Sequence, residues 1–313
     1  MTFPIEKKLV IAVSSSALFD LSESDQVFRE QGAKAYKAYQ EKNLDNMLGK
    51  GVAFPFVRRF LSINQKFPDE QPVEVVLLSR NSAVTGKRVF RSIEHHGLSI
   101  TRAAFMEGNP PYPYIPAFNA SLFLSAHEDD VLQAIAAGYP AGMVLPSKVI
   151  DDDDDKTLRI AFDFDGVIAD DEAETVYQNG KLDKFVAHEV SNMQKPHNPG
   201  PLANLFKKLS SLQALEEKKK AQDKHYQRMI RTIIITARSA PTHERVITTL
   251  ENWGVSANET FFLGGMKKEH ILNTLKPHMF FDDQKTHLES QLGDIPMVHI
   301  PFGVTNKAVP KKT

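Results

Sequence analysis

The chain has 313 residues, with 38 lysines and arginines against 39 aspartates and glutamates and a formal net charge of −1. That length fits roughly two domains, and the charge balance excludes a polybasic arm, so no nucleic-acid partner is expected. The absence of cysteine excludes both a disulfide framework and a thiolate nucleophile, and apolar stretches short of 18 residues predict a soluble, cytoplasmic protein with no membrane partner.

In chain order, Lys7–Val13 reads as a strand that runs into Ser14-Ser15-Ser16, followed by Asp20 and a charged helical stretch. Ala53–Ile63 has apolar residues at helical spacing, and Val73–Leu78 is a second strand ending at Ser79. Thr85–His96 reads as an amphipathic helix stopped by Gly97. Asn109–Pro116 is expected to be loop because proline removes backbone donors, and the apolar run Ser121–Leu124 stops at Ser125-Ala126. Asp151–Asp155 is read as a solvated linker extended by its own charge.

Leu158–Phe162 is a strand that ends in Asp163-Phe164-Asp165-Gly166. Two acids at the carboxyl end of a strand in an open α/β sheet repel each other unless a cation or a proton balances them. Asp171–Ala221 looks helical, broken by Lys195–Pro201. Ile233–Ile235 is a strand leading to Thr236, Ala237 and Arg238, and Thr242–Asn252 is a helix closed by Gly254. Met279–Phe281 ends in Asp282-Asp283, and Pro296–Ile300 is the final strand.

An internal repeat is expected. The differences 236 − 79, 254 − 97 and 282 − 125 all equal 157, and Ser82/Ser239, Thr85/Thr242, Arg88/Arg245 and Glu94/Glu251 match in that register. The first strands match at 163 − 14 = 149, which sets Ser14 against Asp163 and Ser16 against Asp165. At the shift of 157, Asp282 faces Ser125, Thr236 faces Ser79 and Lys268 faces Pro111. Polar matches at an ungapped shift favour duplication, with the first half a copy that keeps the apolar frame and lacks the carboxylates.

Four strand ends of the second half, in the order Asp163/Asp165, Thr236, Lys268 and Asp282/Asp283, resemble the haloacid dehalogenase-like (HAD) superfamily. The resemblance implies a Rossmann-type parallel sheet flanked by helices, with a helical cap inserted at about 171–230. Asp163 would be the nucleophile and Asp165 the acid and base, while Thr236 and Lys268 would hold the phosphate. Asp163, Asp165, Asp282 and Asp283 would surround Mg²⁺. An acid two positions after the nucleophile fits phosphatases and mutases rather than dehalogenases. Asp163 and Thr236 are 236 − 163 = 73 positions apart, more than the roughly 30 of a bare strand–helix–strand unit, hence the cap. Candidate substrate contacts are Ala237 and Arg238, with Glu172, Tyr177, His188, Glu189, Lys195 and His197 from the cap.

More narrowly, the stretches AVSSSALF, AFPFV, VVLLSRNS, AFDFDGV, ITARSA, LENWG, FLGG, LKPHMFFDDQ and VHIPFGV resemble the cytosolic 5′-nucleotidases of the type I family, in order along nearly the whole chain. That resemblance implies Mg²⁺-dependent hydrolysis of nucleoside 5′-monophosphates through an aspartyl phosphate. It also implies control by a nucleotide effector in some members. The chain departs from eukaryotic members in having Asp-Phe-Asp-Gly where they carry Asp-Gly-Asp-Ala. The expected organisation is a degenerate half at 1–150, an acidic linker at 151–157 and a catalytic half at 158–313. Two alternatives stay open, a HAD-type phosphatase or phosphotransferase for another small phosphate ester and a nucleotide-binding regulatory protein. A homo-oligomer is also left open.

Overall fold

A computed structural model describes residues 4–148, 151–289 and 293–306. The chain forms two compact units, one running to Pro146 and one starting at Ser147. The first unit contains β1 (Leu9–Val13), α1 (Ser15–Leu18), β2 (Phe19–Asp20), α2 (Ser22–Lys42), β3 (Gly49–Lys50), α3 (Phe54–Lys66), β4 (Val73–Ser79), α4 (Gly86–His95), β5 (Arg102–Phe105), β6 (Ala120–Ser125), α5 (Glu128–Ala136) and β7 (Ala141–Val144). Its main strands are parallel in the order β7-β6-β1-β4-β5, and β2 and β3 form a separate antiparallel pair.

The second unit contains β8 (Leu158–Phe162), α6 (Glu172–Ser191), α7 (Ala203–Gln222), β9 (Ile230–Thr236), α8 (His243–Trp253), β10 (Glu259–Phe262), α9 (Glu269–Leu275), β11 (Met279–Asp282), α10 (Lys285–Glu289) and β12 (Met297–His299). Its strands are parallel in the order β10-β9-β8-β11-β12. Numbered along the chain with β2 and β3 set aside, both units therefore have the order 3-2-1-4-5. The α/β class expected from the sequence is the one found.

A parallel sheet is covered on both faces, so its strands are near-continuous apolar runs. β1 (LVIAV) and β6 (ASLFLS) are buried at every position, and β8 at all but one. The edge strands β5 (RAAF) and β10 (ETFF) are half-buried throughout and carry no such run, which is why they escaped a sequence reading. β9 starts at Ile230, earlier than its apolar core, and Arg231 Nε donates to Glu259 Oε1 on β10 at 2.8 Å. α8 ends at Gly254, whose φ of 65° is the left-handed cap that glycine takes without a Cβ clash.

The stretch expected to be a cap contains two different helices. α7 buries Leu205, Phe206, Leu209 and Leu212, with the Phe206 ring edge-on to Phe162 of β8 at 5.6 Å, so it is the crossover helix between β8 and β9. α6 buries only Ala173 and Glu189 and is interrupted at Lys181 (φ 60°). In the acidic segment, Asp155 is pinned by Arg159 at 2.8 Å and lies 3.4 Å from His278. Among the described residues, no helix is long and apolar enough to cross a membrane.

Individual contacts recur in the two units. Ser14 N–H donates to Leu124 O at 2.8 Å as Asp163 N–H does to Phe281 O at 2.8 Å. Arg88 Nε donates to Asn46 O at 2.7 Å as Arg245 Nε does to Lys195 O at 3.0 Å. Leu48 N–H donates to Ser92 Oγ at 2.9 Å as His197 N–H does to Thr249 Oγ1 at 3.0 Å. Glu74 of β4 pairs with Arg102 of β5, and Arg231 of β9 with Glu259 of β10, the same bridge with its charges exchanged.

Candidate active site

In a 3-2-1-4-5 sheet, the connections leave the first and fourth strands in opposite directions, which opens a crevice beyond their carboxyl ends. In the second unit those strands are β8 and β11; Asp163 follows β8, and Asp282 is the last residue of β11. Asp163 is 5 % exposed; its Oδ1 accepts from the Phe164 N–H at 2.7 Å. After it the chain makes a wide π-type turn, Phe164–Ile168, with Gly166 at φ 71°. A Cβ at Gly166 would stand 2.7 Å from Asp283 Cγ, so glycine is required there for both space and conformation.

Lys268, the residue before α9, is buried and places Nζ 2.7 Å from both Asp163 Oδ2 and Asp282 Oδ2. Lys267 beside it is exposed. Asp282 also accepts from the Gln284 N–H at 2.8 Å and lies 3.3 Å from His287 Nδ1, while Asp283 Oδ2 accepts from Thr305 Oγ1 at 2.8 Å. Burial pushes Asp163 up to about 7, with repulsion from Asp282 and Asp165 adding to it and Lys268 opposing it. Burial, Asp163 and Asp282 likewise push Asp283 up to about 8. Burial also acts to raise Asp282, but Lys268 and His287 outweigh it and hold that group below its ordinary value. One lysine thus faces three buried carboxylates, an excess of negative charge suited to a hard cation.

Asp165 points elsewhere. Its carboxylate takes a bidentate grip from Arg238, with Nε at 2.8 Å and Nη2 at 2.6 Å. Arg238 follows β9, and its Nη1 also bonds Glu189 of α6. Glu189 is 1 % exposed and accepts further from Arg245 Nη1 at 2.8 Å, with His197 Nε2 at 3.2 Å and His188 Nδ1 at 3.1 Å. Burial alone would raise Glu189, but His197 and the Arg238 guanidinium hold it well below the usual carboxylate range. Arg238 therefore ties α6 to the turn that carries Asp165.

The crevice brings together Asp163, Lys268, Asp282 and Asp283, with Thr236 buried at the end of neighbouring β9, where its Oγ1 accepts from the Arg238 N–H at 3.3 Å. It does not bring the Asp165 carboxylate to the other acids as a metal ligand, because Arg238 holds it. Of the α6 candidates, Glu172 accepts from Arg245 at 3.0 Å and lies 3.2 Å from His188, and both belong to the Glu189 network. Tyr177 is 42 % exposed, edge-on to Phe185 at 6.2 Å. Lys195 and Ala237 are exposed, and each offers a backbone carbonyl, to Arg245 and to Gly265 respectively.

Arg245 and His287 were not anticipated. A signal existed for each, since Arg245 matches Arg88 in the repeat and His287 stands five positions after Asp282. Among the described residues, two groups have donor atoms close enough to share a metal ion, Asp163 with Asp282 and His287, and Asp170 with Glu172 and His197.

The chain is similar in sequence to known proteins. Cytosolic 5′-nucleotidase 1B of Homo sapiens is 35% identical over 295 residues, covering 92% of this chain and 48% of the relative, so the chain spans about half the length of that curated protein. The crystal structure of a histidinol dehydrogenase from Elizabethkingia anophelis aligns with 90% of this chain and 77% of its own at 8% identity; its TM-score of 0.20 carries no argument. The 5′-nucleotidase family profile matches residues 1–307. Because that match runs through both units and every strand end described above, the chain belongs to the 5′-nucleotidase family.

Proposed function

We propose that the chain is a cytoplasmic phosphoric monoester hydrolase that converts nucleoside 5′-monophosphates to nucleoside and phosphate. The observation that carries this reading is Lys268 Nζ, 2.7 Å from both Asp163 and Asp282 at the crevice of the second unit. A carboxylate nucleophile, a fixed cation and further acids at one strand-end crevice are what phosphoryl transfer asks for: positioning and charge neutralisation.

In the first step an Asp163 carboxylate oxygen attacks phosphorus, the bond from phosphorus to the nucleoside O5′ breaks, and Asp165 gives that oxygen its proton. In the second, ionised Asp165 removes a proton from water as the water oxygen attacks phosphorus, which frees Asp163 and releases phosphate. Arg238 occupies both carboxylate oxygens of Asp165, so it must release one of them before that oxygen can reach the leaving group or the water. Asp163 and Asp282, with Asp283 alongside, would hold Mg²⁺, which would offset the negative charge of the acids and of the phosphate. Thr236 and Lys268 bind the phosphate oxygens, and the Ala237–Arg238 backbone lies next to them. Tyr177, with its exposed ring, offers a face to the base, and Glu172, His188 and Lys195 are further candidate substrate contacts.

The test is phosphate release from a panel of nucleoside monophosphates and sugar phosphates, with and without Mg²⁺. Metal-dependent release from nucleotides supports the proposal. Release from sugar phosphates alone, or transfer of phosphate to an added nucleoside or sugar in place of water, contradicts it.

A further inference from the structure

We infer that the first unit carries a second, non-hydrolytic site, which binds the base and ribose of a nucleoside. The ligand class rests on the activity proposed above; the site rests on the first unit's own geometry. A cavity of about 800 Å³ lies beyond the ends of β4 and β6 and beside α2, within the ~300–1,000 Å³ of small-molecule sites. The recurring contacts make it the counterpart of the second unit's crevice. Asn81 stands where the second unit has Arg238, so the guanidinium that grips Asp165 there has no counterpart at this position.

Asn81 lines the cavity. Its Oδ1 accepts from the Tyr36 hydroxyl at 3.1 Å, and its buried Nδ2 has no protein partner. Phe28, 51 % exposed, meets Tyr36 edge-on at 5.7 Å, as Tyr177 meets Phe185 in the second unit, and gives a base an aromatic face. Carboxylates in the lining (Asp25, Glu107, Glu128 and Asp129) outnumber its basic side chains Lys37, His127 and Arg80. Arg80 is moreover engaged by buried Asp130 at 2.6 Å. Such a lining disfavours a phosphate dianion and offers acceptors to ribose hydroxyls.

Turnover is absent because its groups are absent. Ser14 replaces Asp163, Ser125 replaces Asp282 and Pro111 replaces Lys268. The strand-end hydroxyls are taken up by one another, Ser15 with Ser79 at 2.9 Å and Ser14 with Ser16 at 3.0 Å.

The experiment counts adenosine and cytidine bound per chain by equilibrium dialysis, with their 5′-monophosphates tested in Asp163→Asn protein. It uses wild type, Asn81→Arg, which restores the bulk found in the second unit, and Phe28→Ala, a change at an exposed ring. Two nucleosides per chain are expected in wild type, falling to one in Asn81→Arg. Phe28→Ala should weaken the first-unit site at least tenfold, and both variants should keep wild-type turnover. One nucleoside per chain in wild type, two sites untouched by either variant, or tighter binding of monophosphate than nucleoside at the first-unit site overturns the inference. Two-site binding without nucleotide hydrolysis contradicts the proposed activity alone, whereas hydrolysis with a single nucleoside site contradicts this inference alone.

Discussion

Replacing Glu189 by glutamine tests whether the α6 network is a cooperative charge device. Glu189 is 1 % exposed and faces Arg238 and Arg245, themselves 4 % and 3 % exposed. Removing one partner of a buried ion pair costs ~3–5 kcal/mol, because the remaining charge stays desolvated. Arg238 keeps Asp165 and Arg245 keeps Glu172, which places Glu189→Gln at the lower end, about 3 kcal/mol. At ~2–4 °C per kcal/mol for a unit of this size, the melting temperature falls by roughly 6–12 °C. The first unit already shows the repair: Gln40 occupies the matching place, accepts from Arg88 Nη1 at 3.2 Å, and is accompanied by Asn81 instead of a second arginine. The double variant Glu189→Gln/Arg238→Asn should therefore lose less than the sum of its single changes, by ~1 kcal/mol or more. Urea unfolding of the four proteins measures this. A Glu189→Gln loss within ~0.5 kcal/mol, or additive single changes, would refute the reasoning. The pH dependence has a fixed sign. Because the folded value of Glu189 lies below its ordinary one, its stabilisation is complete above the ordinary carboxylate range and is lost as pH falls toward the folded value, and Glu189→Gln should lose that acid-side decline.

Lys268→Met removes the charge between Asp163 and Asp282 and should lower kcat by ~10²–10³ while circular dichroism stays unchanged; a loss below tenfold would count against its phosphate role. Asp165→Asn should lower kcat by ~10²–10⁴, since both steps lose their proton transfer; a loss below tenfold would argue otherwise. Gly166→Ala sets a Cβ against Asp283 at positive φ, and roughly 1–3 kcal/mol of stability should be lost by urea titration. Chelation should abolish turnover and added Mg²⁺ restore it, while activity retained after exhaustive chelation would remove the metal from the account.

The buried strands were legible because a parallel sheet demands continuous apolar runs, as in LVIAV before Ser14 and LRIAF before Asp163. The half-buried edges β5 and β10, and the β7 strand with its preceding α5, left weaker patterns and emerged only from pairing. Asp163, Lys268, Asp282 and Asp283 could be picked out because each follows an apolar strand or a glycine turn. The grip of Arg238 on Asp165 and Glu189 could not, because it joins residues 73 and 49 positions apart with no periodic signature. The cap length was inferred from spacing alone, which cannot distinguish the crossover helix α7 from the largely exposed α6.

The most direct test of the central claim is to quench the reaction with acid on a nucleoside monophosphate labelled at phosphorus and to map the protein-bound label. The account predicts a hydroxylamine-sensitive acyl phosphate on the peptide carrying Asp163, absent from Asp163→Asn, which should also be inactive. Label on another residue, or undiminished turnover in Asp163→Asn, would contradict it.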